Sequence, residues 1–235
     1  MPKISCFICT GIDIAQSKFL SSLNMFSLSP QYNLLLDQYS YMAENGYHRT
    51  DGQFVKNVYS DAEPLKFSES IKKIVEHFNS ENALDYGSGG TNLNTTILKE
   101  NIKFIDYIGL KKIYSYEPAR KKGKPKKCDL VLCFDVLEHI FINDIPWVLK
   151  ELFENAKQCV IINVACYKAA ALLPNGENAH ITVRPPLWWL GQIECISTLY
   201  PEIYWALFTS QGHQNFDFLG VHRMQDKIDS KKFVQ

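Results

Sequence analysis

The chain has 235 residues, 46% of them hydrophobic, and its 25 Lys and Arg balance its 25 Asp and Glu. That length fits one domain with additions better than two domains, and zero net charge excludes a global pull toward nucleic acid or an anionic membrane. The seven cysteines, Cys6, Cys9, Cys128, Cys133, Cys159, Cys166 and Cys195, are scattered through largely apolar runs and read as small buried hydrophobes of a reducing compartment.

The apolar start MPKISCFICTGIDIAQ is interrupted at Asp13, too early for a membrane span, and shows no signal-peptide cleavage pattern. A cytoplasmic protein without a membrane span is expected. Cys6 and Cys9 form a CxxC with no second Cys/His pair at similar spacing, so no metal site is expected. SKFLSSLNMFSL and YNLLLDQYSYMAENG predict short helices, the second ending at Gly46. Residues 1–65 are read as a helical cap or lid, and 66–235 as the main domain. YMAENGYHR, 41–49, fits a lid with Tyr47, His48 or Arg49 reaching the site, or a plain surface connection.

ESIKKIVEHF places Ile71, Ile74, Val75 and Phe78 on one helical face. Strand and helix then alternate. NALDYG is a strand, TNLNTTILKENI a helix capped by Thr91 or Asn92, and KKIYSYEP a strand. CDLVLCFDVL is a strand whose continuous apolar character suits a sheet covered on both faces. DIPWVLKELFENA is a helix, KQCVIINVAC a strand, and PPLWWLGQIECI a helix opened by proline. IYWALFTS and FDFLGVHR form a final hairpin around QGHQN. The pattern predicts an α/β doubly wound sheet, mostly parallel, with a C-terminal antiparallel hairpin.

ALDYGSGG, 83–90, carries the chemistry. It lacks the Lys of a phosphate-binding P-loop and the third glycine of a dinucleotide fingerprint. Asp85, two residues before Gly87, would repel a pyrophosphate and favour a cation. Glu117, at the tip of the next predicted strand, suits bidentate hydrogen bonding to a vicinal diol. S-adenosylmethionine, with a sulfonium, an ammonium and a ribose but no phosphate, matches both.

ALDYGSGG, YSYEPA and CDLVLCFDVLEHI, in this order at successive strand ends, resemble the motifs of class I S-adenosylmethionine-dependent methyltransferases. They are similar to bacterial and phage members with a DYGCGKG-like loop and a DVLEHI stretch, and ALLPNGENAHITVRPPLWW is similar to a loop of that subgroup. The resemblance covers roughly residues 70–225. It implies a Rossmann-like methyltransferase sheet, with S-adenosylmethionine as cofactor and S-adenosylhomocysteine as product. By the same resemblance Asp85, Tyr86, Gly87, Ser88 and Gly89 line the methionine end, Glu117 holds the ribose, Pro118 lies near the adenine, and Asp135 and Val136 face the cofactor across the switch point. One departure stands out. The run from Pro118 to Cys128 is too short for a helix and a strand, so an edge strand after Glu117 is expected to be missing.

Three residues are candidates for catalysis. His180, on the loop before the last predicted helix, is placed to take a proton from an acceptor hydroxyl or amine, or to bond backbone as a plain loop histidine. Glu138 and His139 either touch substrate or cap and pack beneath the site. One of Trp188 and Trp189 is core and the other a wall of the acceptor pocket. ARKKGKPKK is read first as a solvated loop and second as a lure for an anionic substrate.

The expected function is methyl transfer to an oxygen or nitrogen of a small molecule or glycan precursor, with nucleic acid disfavoured as partner. The [DN]PP[YF] motif of amino-methylating DNA enzymes is replaced by FDVL, and no Pro-Cys dipeptide occurs. The alternatives are a non-catalytic partner protein with a methyltransferase fold, or an RNA or protein methyltransferase.

Overall fold

The computed structural model describes residues 28–56, 63–212 and 215–222. The first predicted helix, apart from Leu28, and the Cys6–Cys9 pair lie outside them. Ten short and long strands alternate with five helices: α1 (Pro30–Asn45), β1 (Tyr47–His48), β2 (Phe54–Val55), α2 (Ser68–Phe78), β3 (Asn82–Tyr86), β4 (Ile97–Lys99), β5 (Ile102–Lys103), α3 (Phe104–Ile108), β6 (Lys112–Tyr116), β7 (Cys128–Phe134), α4 (Ile145–Asn155), β8 (Ala156–Ala165), α5 (Pro186–Ser197), β9 (Tyr204–Gly212) and β10 (Asn215–His222).

The main sheet has the order β10-β9-β8-β7-β3-β6. Five of its strands, β6, β3, β7, β8 and β9, run parallel, and β10 is antiparallel, paired to β9. This is a Rossmann-like arrangement, as the alternating pattern predicts. β6 is the edge among the described residues. After it comes a 3-10 turn, Pro118–Arg120, and a loop, with no further strand before β7.

Strand residues alternate between two apolar layers, as a two-faced sheet requires. Val131 and Cys133 of β7 and Val160, Ile162 and Val164 of β8 face one layer, completed by Val148, Leu149 and Leu152 of α4 and Trp189 and Ile193 of α5. Leu130, Leu132 and Phe134 of β7 and Ile161 of β8 face the other, with Ile71, Ile74 and Val75 of α2 and Phe104 and Ile108 of α3. Full burial of each such side chain contributes about 1.5–3 kcal/mol, and the stretches 130–134 of β7 and 159–165 of β8 accordingly carry no charged residue on either face.

The stretch TNLNTTILKENI is not a helix. Residues 91–96 turn, and β4 and β5 form a tight antiparallel hairpin whose Glu100 and Asn101 both have positive φ (47° and 64°). The reason is local competition for backbone groups. The Asn92 carbonyl accepts from Thr95 and Thr96 backbone N–H groups, and the Asn94 side chain pairs with both backbone groups of Ile113 on β6 (2.8 and 3.0 Å). Asn94 thus clips the turn to the sheet edge. Among the described residues no helix is long and apolar enough to cross a membrane.

Candidate functional site

The chain passes from β3 to β6 on one side and then to β7 on the other, so the carboxyl ends of β3 and β7 diverge. Open α/β sheets bind ligands at such a switch point. Here it opens into a cavity of about 610 Å³, a size suited to one small-molecule ligand. The floor is the strand ends. The roof is α1, through Tyr32, Leu35 and Tyr39, with Tyr47 and Arg49 from the following segment. That segment pairs with the loop after β8: the Thr50 N–H donates to the Ala170 carbonyl and the Leu172 N–H to the His48 carbonyl. Two of the three lid candidates therefore line the cavity, while His48 packs on Phe54.

The glycine loop is folded back on the protein. The N–H groups of Gly87 and Ser88 donate to the Tyr116 carbonyl at 2.8 and 3.1 Å, and the Thr91 N–H donates to the Ser88 carbonyl at 3.0 Å. Gly89 N–H donates to Glu117 Oε2 at 2.9 Å, while Glu117 Oε1 accepts the Ala119 N–H at 3.0 Å. Each Glu117 oxygen keeps one lone pair for an outside donor. Gly87 has φ +76°, and a Cβ there would meet Val136 Cγ2 at 2.4 Å. Both the positive φ and the nearness of Val136 thus favour glycine at this turn.

Asp85 lies at the bottom of this side, 5% exposed. Burial pushes its carboxyl up to about 7; Lys122 pulls it down and Glu117 pushes it up. Lys122 folds back from the basic loop, donates to the Thr91 carbonyl at 2.6 Å, and has its own pKa lowered by burial. Of that loop, Arg120 lines the cavity, and Lys121, Lys124 and Lys127 are exposed. The loop is therefore not wholly a solvated one. Ser88 Oγ is enclosed and has no hydrogen-bond partner. The Tyr86 ring packs into the α4–α5 layer, where its hydroxyl donates to Glu151, and Pro118 lines the cavity beside Glu117.

Asp135, Val136, His139 and His180 form a further wall of the cavity, Val136 lying against Gly87. Asp135 ends β7 with φ +57°, its N–H directed at the Asn163 carbonyl of β8. His180 is 8% exposed; its Nδ1 meets the Tyr167 carbonyl, and its Nε2 stands 4.0 Å from Asp135 Oδ1. His139 Nδ1 lies 2.7 Å from the Tyr39 hydroxyl and 3.0 Å from the Ala179 carbonyl. Burial lowers His139 to about 4; His180 lowers it further, and Asp135 opposes. Glu138 does not line the cavity. It is fully buried beneath it, Oε1 accepting the Ala165 N–H, and burial raises its pKa well above the usual carboxylate range.

Sequence reasoning did not single out Asn163, Ser210, Tyr39 or Tyr167, which also line the cavity. Asn163 and Ser210 are buried at the carboxyl ends of β8 and β9, the Asn163 amide donating to Ser210 Oγ at 3.2 Å. A lone asparagine inside the apolar run CVIINVAC was the available signal. Neither tryptophan forms a wall: Trp189 is core, and Trp188 packs against it and under Arg184. No protein-family model, curated protein or solved structure matches this chain.

Proposed function

We propose that the chain is an S-adenosylmethionine-dependent methyltransferase acting on an oxygen or nitrogen of a small molecule or glycan precursor. The observation that carries this reading is the state of the glycine loop. The sheet order alone suits any nucleotide ligand, so the choice rests on the loop. A phosphate cradle needs outward-pointing amide hydrogens at a helix N-terminus. Here the N–H groups of Gly87, Ser88, Gly89 and Thr91 are all taken by protein acceptors, and residues 91–96 are turn rather than helix. Next to the loop the cavity is lined by two carboxyl groups, Asp85 below and Glu117 beside it, while Arg49, Lys66 and Arg120 line other parts of it.

A ligand with a cation and a diol, and without phosphate, fits these groups. Asp85 would face the cationic methionine end, the remaining lone pairs of Glu117 would accept the ribose hydroxyls, and the enclosed Ser88 Oγ would gain a partner. When bound, the sulfonium supplies a transferable methyl group. The rest falls to the chain itself. α1 covers the site and excludes water, and the polar wall of Asp135, His139 and His180 is where an acceptor enters. Holding the acceptor atom in line is the main demand on that wall.

Calorimetric titration of the purified protein with S-adenosylmethionine and S-adenosylhomocysteine, with NADH as control, tests the reading. Micromolar binding of the first two, weakened in Asp85→Asn, is expected. Binding of NADH in their place would overturn it.

A further inference from the structure

We infer that Asp135, His139 and His180 form a divalent transition-metal site on the acceptor side of the cavity. One ligand atom from each of the three lies within 4.8 Å of the other two. The inference goes beyond the methyltransferase reading and does not depend on which group the glycine loop binds.

The tautomers point the same way. A carbonyl only accepts, so the contact of His180 Nδ1 with the Tyr167 carbonyl places the ring hydrogen on Nδ1. For His139, Nδ1 faces both the Ala179 carbonyl and the Tyr39 hydroxyl, and that hydroxyl itself donates to the same carbonyl at 3.0 Å. The hydrogen is again on Nδ1. Each imidazole is therefore anchored to backbone through its Nδ1–H, so a metal would be taken through Nε2. Metal-ligating histidines are held in this way by their outer-shell partners.

Two further observations support a cation here. Asp135 is held at φ +57°, a conformation that costs a non-glycine residue energy and that the surrounding strands must enforce. Directly beneath, Glu138 is 0% exposed, and its Oε2 is enclosed with no hydrogen-bond partner. A divalent ion above Glu138 would place positive charge beside the Asp135 carboxylate and this enclosed oxygen. Ligand atoms bound at about 2.1 Å stand roughly 3.0–3.4 Å apart, so the 4.0 Å pair of His180 Nε2 and Asp135 Oδ1 must close by about 0.6–1 Å, and a pair at the 4.8 Å limit by about 1.4–1.8 Å. The half-exposed Asp135 side chain, with 44% of its surface accessible, has room to move.

Two imidazoles and a carboxylate favour Zn²⁺, Co²⁺, Fe²⁺ or Mn²⁺ over Ca²⁺ or Mg²⁺, which prefer all-oxygen shells. Three protein ligands leave positions open to the cavity, where oxygen atoms of an acceptor would bind.

The test uses the full chain after dialysis against a chelator. It is titrated with Co²⁺ by visible absorption and with Zn²⁺ and Mn²⁺ by calorimetry, Mg²⁺ serving as control. One Co²⁺ or Zn²⁺ per chain at micromolar or tighter affinity is expected, falling at least tenfold in Asp135→Asn and in His180→Gln. Metal-free circular dichroism establishes that each variant is folded. Should His180→Gln fail to fold, Asp135→Asn decides. No binding by wild type at millimolar metal, or binding that folded Asp135→Asn leaves unchanged, overturns the site. Titration of the same metal-free protein with S-adenosylmethionine tests the glycine-loop reading separately.

Discussion

Glu117 Oε2 accepts the Gly89 N–H at 2.9 Å, so the acid at the end of β6 fastens the turn at the end of β3. Its other oxygen holds the Ala119 N–H, which starts the 3-10 turn. One carboxylate thus shapes two loops and still presents lone pairs to the cavity. Glu117→Ala removes both acceptors. It is expected to lower stability by about 1–3 kcal/mol and to weaken S-adenosylmethionine binding at least tenfold. Thermal melts read the first effect and calorimetry the second. Unchanged affinity in a destabilised variant would show that Glu117 shapes the loop without touching the ligand.

Asp85 gives a pH dependence of definite sign. Burial pushes its carboxyl from the ordinary 3.8 up to about 7, so the native state binds more protons than the unfolded state between those values. Stability therefore falls as pH rises from about 4 to 7, by up to about 1.4 kcal/mol per pH unit for this one group. Asp85→Asn is expected to flatten that slope relative to wild type and to be the more stable protein at pH 8. Ligand binding runs the other way: a cation favours ionised Asp85, so affinity rises with pH toward 8 in wild type and not in the variant. Thermal melts and titrations at pH 5–8 check both. Parallel slopes in the two proteins would refute the assignment.

Gly87→Ala places a methyl group 2.4 Å from Val136 Cγ2 on a backbone with φ +76°. Both effects are destabilising, together by about 2–4 kcal/mol. The double variant Gly87→Ala/Val136→Ala relieves the clash and leaves the φ strain, so it is expected to regain part of the loss measured in denaturant titrations. No recovery would mean that the backbone conformation, not the contact with Val136, is what requires glycine.

The fold was legible where hydrophobic period and punctuation agree. The face of Ile71, Ile74 and Val75, the apolar run from Leu130 to Phe134 in β7, and Pro186 opening α5 each match the structure. TNLNTTILKENI misled because its spacing resembles a helix, while its Asn and Thr side chains compete for the backbone. In the site, the residues next to the glycine turn were readable because they share one local motif. The meeting of His180 with Asp135 and His139 was not, since it depends on how the loop after β8 folds back across the end of β7. Tyr39 was invisible for the same reason, since nothing local in α1 indicates which strand ends it covers.

The two anchors of α1 predict how the cavity opens. At the start of the helix, Ser29 Oγ donates to the fully buried Asp144 at 2.8 Å, and the Ser29 N–H donates to the same carboxylate. In the middle, the Tyr39 hydroxyl bonds Ala179 and His139. Tyr39→Phe leaves the Ala179 carbonyl within 3.0 Å of His139 Nδ1, which can satisfy it, so the cost is about 1 kcal/mol. Asp144→Ala strips Ser29 of its acceptor for both groups and costs about 2–3 kcal/mol. Amide hydrogen exchange is expected to quicken in α1 in both variants, more in Asp144→Ala, while β7 and β8 stay protected. That pattern would identify α1 as a locally opening unit over a rigid sheet. Quickening spread evenly over the sheet would instead mean that α1 and the strands unfold together, and that entry to the cavity does not go through this helix.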